Sequence, residues 1–258
     1  FGGHNKAAQN LKEALLHRYP EIEVATVNGL GYFYPRAEKV INFIYITVIK
    51  YFPRFWRKHY DRRKTVKALT PCRGIVHRLT FGRLNKFIKE QQPDCAVATQ
   101  AFPCGLIADF KERYGLKIPL IAIVTDYHPH RFWVHPLVDR YVVACEEAKE
   151  ALIEQGVDPD KVKILGIPIS RKFLSTYPKE QISDEFNFIK DLDTILIMGG
   201  GLGIGPIKVI AKKLDSLPCN FQIVVVCGRN KGLYKWFIKR KHEFKKPIFI
   251  FSYTDDMH

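Results

Sequence analysis

Residues 119–125 form a run without a charged side chain. A strand that is apolar on both faces has to be buried on both faces, and a parallel sheet covered by helices meets that demand. Similar short runs recur at 95–99, 140–144, 161–165, 194–198, 221–227 and 247–251, with a further strand expected at 21–27. Helical periodicity separates them at 7–17, 78–91, 105–114, 146–155, 206–214 and 231–242. Residues 36–65 read as a long aromatic-rich helical region interrupted by Pro53. Strands alternating with helices predict an α/β fold of parallel sheets. Residues 169–190 are polar and without period, and the alternation restarts after them. The expectation is therefore two Rossmann-like α/β domains, 1–168 and 191–258, joined by a connector at 169–190. The second is expected to be truncated. Ligands in such sheets bind beyond the carboxyl ends of the strands, so a cleft between the domains is the expected site.

The charge is unevenly placed. The chain carries +15 overall, yet residues 50–90 alone hold thirteen Lys and Arg against Asp61 and Glu90. Such an excess implies an anionic partner. Arg54, Trp56, Arg57, Lys58, Arg62 and Arg63 lie in an aromatic-basic stretch between Tyr32 and Lys64. A basic helix with Trp and Phe suits an anionic membrane surface. A solvated helix with an aromatic face on the core, or a nucleic-acid surface, are the alternatives, but no nucleic-acid motif is present. The apolar run 40–49 is about half of the ~20 residues a spanning helix needs, so peripheral attachment is expected. The six cysteines form no Cys-x-x-Cys pair. They are expected to be reduced, buried thiols in a cytosolic protein.

Three clusters carry candidate chemistry. Gly199-Gly200-Gly201-Leu202-Gly203-Ile204-Gly205-Pro206 follows a strand and opens a helix. Free N–H groups and a helix dipole suit a phosphate there; a flexible turn is the plain alternative. The loop lacks the third glycine of the dinucleotide pattern and the Lys-Ser/Thr ending of a P-loop, which leaves a nucleotide diphosphate held by backbone. Gly2-Gly3-His4 opens the first helix. His4 could take a proton from an attacking hydroxyl, or serve as a cap. Asp126-Tyr127-His128-Pro129-His130, with Trp133 and His135 nearby, stands at the carboxyl end of a buried strand. Substrate contact, structural hydrogen bonding and a metal are all open readings there, although the spacing is not a specific metal pattern.

The stretch 125–144, which includes Asp126, His128, His130, Trp133, His135 and Asp139, resembles the central signature of bacterial processive diacylglycerol glucosyltransferases and of plant monogalactosyldiacylglycerol synthases. Gly166-Ile167-Pro168-Ile169 with Phe173, Met198-Gly199-Gly200-Gly201, Cys227-Gly228-Arg229-Asn230 and Thr254-Asp255-Asp256-Met257 resemble the same group in order and spacing. These are family 28 glycosyltransferases, and the resemblance implies the two-domain GT-B fold. It implies inverting transfer of a hexose, glucose more than galactose, from a UDP-sugar to diacylglycerol, with neither cofactor nor essential metal. A polyprenyl-linked acceptor and a non-catalytic nucleotide- or membrane-binding module remain the rivals. By the resemblance His4 is the general base. Gly3, Asp126, His128, Trp133 and His135 lie on the acceptor or lipid side. Gly199, Gly200, Gly201, Leu202 and Gly203 hold the UDP diphosphate. Gly228 and Asn230 line the donor cleft, and Tyr253 and Thr254 stand near the uracil. The expected partners are UDP-sugar, diacylglycerol and anionic lipids at the cytoplasmic face of the membrane, with no nucleic acid. The family's Pro-Gly-Gly donor motif is expected beyond His258, so this stretch is expected to be an inactive piece of a longer protein.

Overall fold

The computed structural model describes residues 2–33, 63–254, Thr47 and Met257. The chain divides into two compact units, Phe1–Arg171 and Lys172–His258. The first is built on a four-stranded parallel sheet of β1 (Ala96–Ala98), β2 (Leu120–Ile123), β3 (Arg140–Val143) and β4 (Val162–Ile164), in that order. Among the described residues its helices are α1 (Gly2–Arg18), α2 (Gly29–Phe33), α3 (Arg63–Gln91), α4 (Ala101–Tyr114) and α5 (Glu146–Glu154). The sheet's core is Leu120, Ala122, Val124, Tyr141 and Val143 packed with Cys104, Ala108, Trp133 and Leu152. Phe81 and Leu84 of α3 lock onto Leu106 and Phe110 of α4 as a second cluster. Gly115 ends α4 in the left-handed region, φ 65°, where its N–H satisfies the Lys111 carbonyl. At the same end the buried Lys111 ammonium donates to Asp139 Oδ2 at 2.8 Å, and the Leu120 N–H donates to the same oxygen at 2.7 Å. Desolvation raises the Asp139 pKa, but these donors outweigh it and hold the carboxyl below its ordinary value.

The second unit has a three-stranded parallel sheet of β5 (Asp193–Met198), β6 (Phe221–Val226) and β7 (Ile248–Phe251). Its helices are α6 (Lys179–Phe186), α7 (Ile207–Asp215) and α8 (Lys231–Arg240). Every residue of the central strand β6 is buried. Ile207 and Ala211 of α7 and Leu233 and Phe237 of α8 cover the core formed with Ile197, Ile223 and Val225. The buried Gln222 uses its amide as extra backbone. It accepts from the Ile189 N–H and donates to the Ile189 carbonyl and Thr194 Oγ1, which satisfies a polar side chain inside the core.

Several expectations change. Residues 21–27 are not a strand. Ile22 and Val24 alternate inward, but β1 pairs only with β2 among the described residues, and an alternating stretch without a ladder partner stays extended coil. Residues 169–190 hold a 3-10 turn, Arg171–Leu174, and the helix α6. Its short length and high polarity hid that helix. The helix expected from residue 78 begins at Arg63, where Lys64, Lys67, Ala68 and Leu69 are strong helix formers without an apolar stripe. The helical region expected at 36–65 lies almost wholly outside the described residues, and Arg54, Trp56, Arg57, Lys58 and Arg62 lie there too. Among the described residues no helix is long and apolar enough to cross a membrane.

Candidate active site

Four polar residues gather at the carboxyl edge of the first sheet. Thr99 follows β1, Thr125 and Asp126 follow β2, and His4 sits in the first turn of α1. His4 Nδ1 lies 3.1 Å from the Thr99 carbonyl and 2.5 Å from Thr125 Oγ1. A carbonyl only accepts, so Nδ1 carries the proton. Thr125 Oγ1 donates its own proton to the same carbonyl at 3.2 Å, leaving it to accept from Nδ1. The Thr99 hydroxyl closes the arrangement by donating to the His4 carbonyl at 2.9 Å. The ring is thus held in one tautomer, with the lone pair on Nε2. Burial lowers the His4 pKa below its ordinary value; the Asp126 carboxylate and the Thr99 carbonyl oppose that shift without cancelling it. A neutral imidazole with a free lone pair is a general base at physiological pH. A Cβ at Gly2 or Gly3 would meet nothing within 4 Å, so the surface around this turn is open.

The neighbouring signature divides into parts that surround this site and parts that do not. Trp133 was expected to touch an acceptor. It has no exposed surface, and its Nε1 donates to Asp126 Oδ2 at 2.8 Å. It therefore acts through Asp126, as a core residue that aims a carboxylate. His130, also buried, stands 3.7 Å from the same oxygen. His128 is exposed. His135 was expected on the acceptor side as well, but it faces α4. Its Nδ1 accepts from the Leu137 N–H at 3.2 Å, so its Nε2–H donates to Asp109 Oδ1 at 2.9 Å. His77 Nδ1 takes the other carboxylate oxygen at 2.5 Å. Ligand atoms of Asp109, Glu112 and His135 lie within 4.8 Å of one another, but in this arrangement His135 spends its Nε2 as a donor and offers no lone pair there. His135 is thus a packing residue. The sequence reading missed Thr99, Thr125, His77 and Asp109. The two threonines had a signal, since each stands within two residues of the end of a parallel strand.

In the second unit three loops gather at the carboxyl edge of β5–β7. They are 199–205, 228–230 and 252–254. The first two interlock main chain to main chain. A Cβ at Gly203, φ 58°, would lie 2.0 Å from the Cys227 carbonyl oxygen. A Cβ at Gly228, also φ 58°, would lie 2.7 Å from the Gly200 carbonyl oxygen. Glycine is required at both, by space and by conformation. The Arg229 N–H donates to the Gly201 carbonyl at 2.9 Å. Asn230 does two jobs: Oδ1 caps α8 through the Leu233 N–H, and Nδ2 donates to the Gly203 carbonyl at 3.0 Å. Its amide is committed to holding the loop, a correction to its expected place as a lining residue. The Gly203 N–H is committed too, to the Gly200 carbonyl at 3.0 Å, so Gly203 shapes the loop. The exposed Gly200, Gly201 and Leu202 keep N–H groups that no described residue accepts. They stand before the α7 terminus, where an anion is stabilised. Tyr253 lies beside Gly201, with the Arg229 guanidinium 4.9 Å from its ring centre, and Thr254 follows it.

The cysteines differ from expectation. Cys104 and Cys227 are buried, but Cys95 and Cys219 are exposed and all are free. Cys219 lies in a loop, and Cys95, the first residue of the run expected at 95–99, falls just before β1.

Two Rossmann-like units, each a parallel sheet with loops gathered at its carboxyl edge, are the elements of the GT-B fold. Among solved structures, Anabaena Alr3699/HepE in complex with UDP aligns at a TM-score of 0.52 and 11% identity, over 68% of this chain and 53% of that one. The family described as monogalactosyldiacylglycerol (MGDG) synthase matches residues 4–169, and the chain belongs to that family. A processive diacylglycerol beta-glucosyltransferase of Bacillus subtilis is 31% identical over 98% of this chain and 65% of its own length. One of Bacillus licheniformis is 32% identical over 77% of this chain and 51% of its own. The chain thus spans between half and two thirds of the relatives it matches.

Proposed function

We propose that the protein transfers a hexose, glucose, from a UDP-sugar to the free hydroxyl of diacylglycerol with inversion at the anomeric carbon. The single observation that carries the reading is the fixed His4 tautomer. With Nδ1–H committed to Thr99 and Thr125, Nε2 accepts the proton as the acceptor oxygen bonds to the anomeric carbon. The bond from that carbon to the UDP oxygen breaks in the same step. The negative charge left on UDP is stabilised by the N–H groups of Gly200, Gly201 and Leu202 and by the α7 dipole, a preorganised electrostatic role that needs neither metal nor cofactor. Glucose is preferred over galactose because the curated relatives named above are glucosyltransferases. The acceptor is drawn from a bilayer, so the reading includes peripheral attachment to anionic lipid at the cytoplasmic face of the membrane.

The test is incubation of the complete protein with labelled UDP-glucose or UDP-galactose and diacylglycerol in anionic liposomes. Labelled glycolipid from UDP-glucose is expected, and His4→Ala should lower turnover by about 10²- to 10⁴-fold. Full turnover in His4→Ala overturns the base assignment. Glycolipid from UDP-galactose alone overturns the choice of sugar.

A further inference from the structure

The outer face of the second unit is built differently from its core face. Helices α7 and α8 both rest on the β5–β7 core through Ile207, Ala211, Leu233 and Phe237, so their remaining sides point outward together. Those sides are cationic. α8 carries Lys231, Lys235, Lys239 and Arg240 and no acid, and α7 adds three lysines against Asp215. Between them stands Trp236, half-buried. Lys208 lies 4.9 Å, Lys212 5.4 Å and Arg240 5.1 Å from its ring centre. One indole thus draws together cations from two helices. Lys235 and Lys239, one turn apart, are exposed beyond it, and the apolar Ile238 beside them is 48% exposed.

We infer that the α7–α8 face is a docking surface for an anionic phospholipid bilayer. It belongs to the second unit, Lys172–His258. Arg240 is offset by Glu243 at 3.7 Å, but the lysines held this close repel, and an anionic surface relieves that repulsion. Exposed Ile238 flanked by Lys235 and Lys239 also matches a helix lying at the lipid interface. A nucleic acid would need open aromatic faces on which to stack bases, and the Trp236 ring is already ringed by Lys208, Lys212 and Arg240. The inference extends the proposed function, whose acceptor is membrane-borne, but the surface has its own readout.

The experiment is co-sedimentation of the complete protein with vesicles of phosphatidylcholine containing about a third phosphatidylglycerol, and with phosphatidylcholine alone. Wild type should sediment with the anionic vesicles and be released by salt as the surface charges are screened. Lys235→Gln/Lys239→Gln should weaken that binding by roughly tenfold or more. Lys163→Gln/Lys179→Gln, which removes the same charge elsewhere, should not. Circular dichroism melting of both variants checks that they fold. Unchanged binding in Lys235→Gln/Lys239→Gln overturns the inference, as does an equal loss in the control pair. Tighter binding to a single-stranded RNA oligonucleotide at the same salt also overturns it, in favour of nucleic acid. Wild type is assayed in parallel for sugar transfer to diacylglycerol in neutral micelles. A failure there strikes the transferase reading, whereas a failure of the docking surface appears only in sedimentation.

Discussion

The indole of Trp133 donates to Asp126 Oδ2 at 2.8 Å, and the carboxylate it holds is the one whose charge supports protonation of His4. A tryptophan sealed in the core thereby reaches the proton chemistry of a site it does not touch. Burial lowers the His4 pKa and Asp126 partly restores it, so Asp126→Asn should lower it further. The base is active when neutral. The acid limb of the kcat/KM profile should therefore move to lower pH in Asp126→Asn, with kcat reduced because the base is weaker. A limb that stays in place, or moves up, would show that Asp126 does not act on His4. Trp133→Phe removes the donor that holds the carboxylate in place, so the carboxylate turns from His4 towards solvent and the limb should again move to lower pH. It should also cost about 1 kcal/mol in urea unfolding for the lost hydrogen bond.

Thr125 fixes the ring from the side opposite the acceptor. Thr125→Val keeps the shape but removes the oxygen 2.5 Å from His4 Nδ1. Steady-state kinetics should give kcat down by about ten- to a hundredfold from loss of alignment, with KM for the UDP-sugar unchanged. A KM effect without a kcat effect would place Thr125 in donor binding instead.

Gly203→Ala puts a methyl group where the Cys227 carbonyl oxygen already lies, at a positive φ. The two loops have to separate, which should cost more than about 2 kcal/mol of stability and abolish UDP binding by calorimetry. Gly82→Ala, inside α3 and meeting nothing within 4 Å, should raise stability by about 0.5–1 kcal/mol through helix propensity. Equal effects at the two positions would contradict the interlocked loop geometry.

Asp109 accepts from both His77 and His135, and His77 is fully buried. Asp109→Ala leaves a buried N–H without an acceptor. Urea denaturation should register a loss of about 1–3 kcal/mol, while UDP binding is retained. A neutral result would mean that the α3–α4 packing does not depend on this carboxylate.

Thiol labelling should separate the cysteines by position. Cys95 and Cys219 should be alkylated in the native protein. Cys104 and Cys227 should react only on unfolding. Burial pushes the Cys227 thiol up to about 11, so little of it is thiolate near neutral pH. Mass spectrometry that finds Cys227 labelled before Cys219 would contradict its burial.

The parallel sheets were legible because β2 and β6 are buried or nearly so along their whole length, and burial of that kind leaves its mark residue by residue in Ile, Val and Leu. The strands were located to within a residue or two for the same reason. The glycine loop was legible because the close approaches at Gly203 and Gly228 exclude any side chain. Residues 21–27 misled because alternation records which side faces inward and says nothing about whether a neighbouring strand exists. The helix α6 was hidden because it is only eight residues long and its apolar side is the single pair Ile182 and Phe186, too short a repeat to stand out as a period. Within the candidate site, His4 and Asp126 could be found from their positions beside glycine and after a strand. The roles of Trp133, His135 and Asn230 could not, since residue type and spacing do not record which way a side chain turns. Each turned towards the protein rather than towards solvent.

The interlock of the loops at Gly203 and Gly228 has a thermodynamic consequence. Its contacts are made by main chain and by Asn230, so the curvature of the loop is set when the chain folds rather than when a ligand arrives. An anion seated on Gly200, Gly201 and Leu202 would find its donors already in place, with few rotors left to freeze. Ordering usually opposes association by about 0.5–1.5 kcal/mol for each immobilised flexible side chain, and here that cost has largely been met in advance. Binding at this loop should therefore carry a small entropic penalty. The affinity it reaches would depend on how well the anion fits a rigid frame, not on how far the frame can adapt.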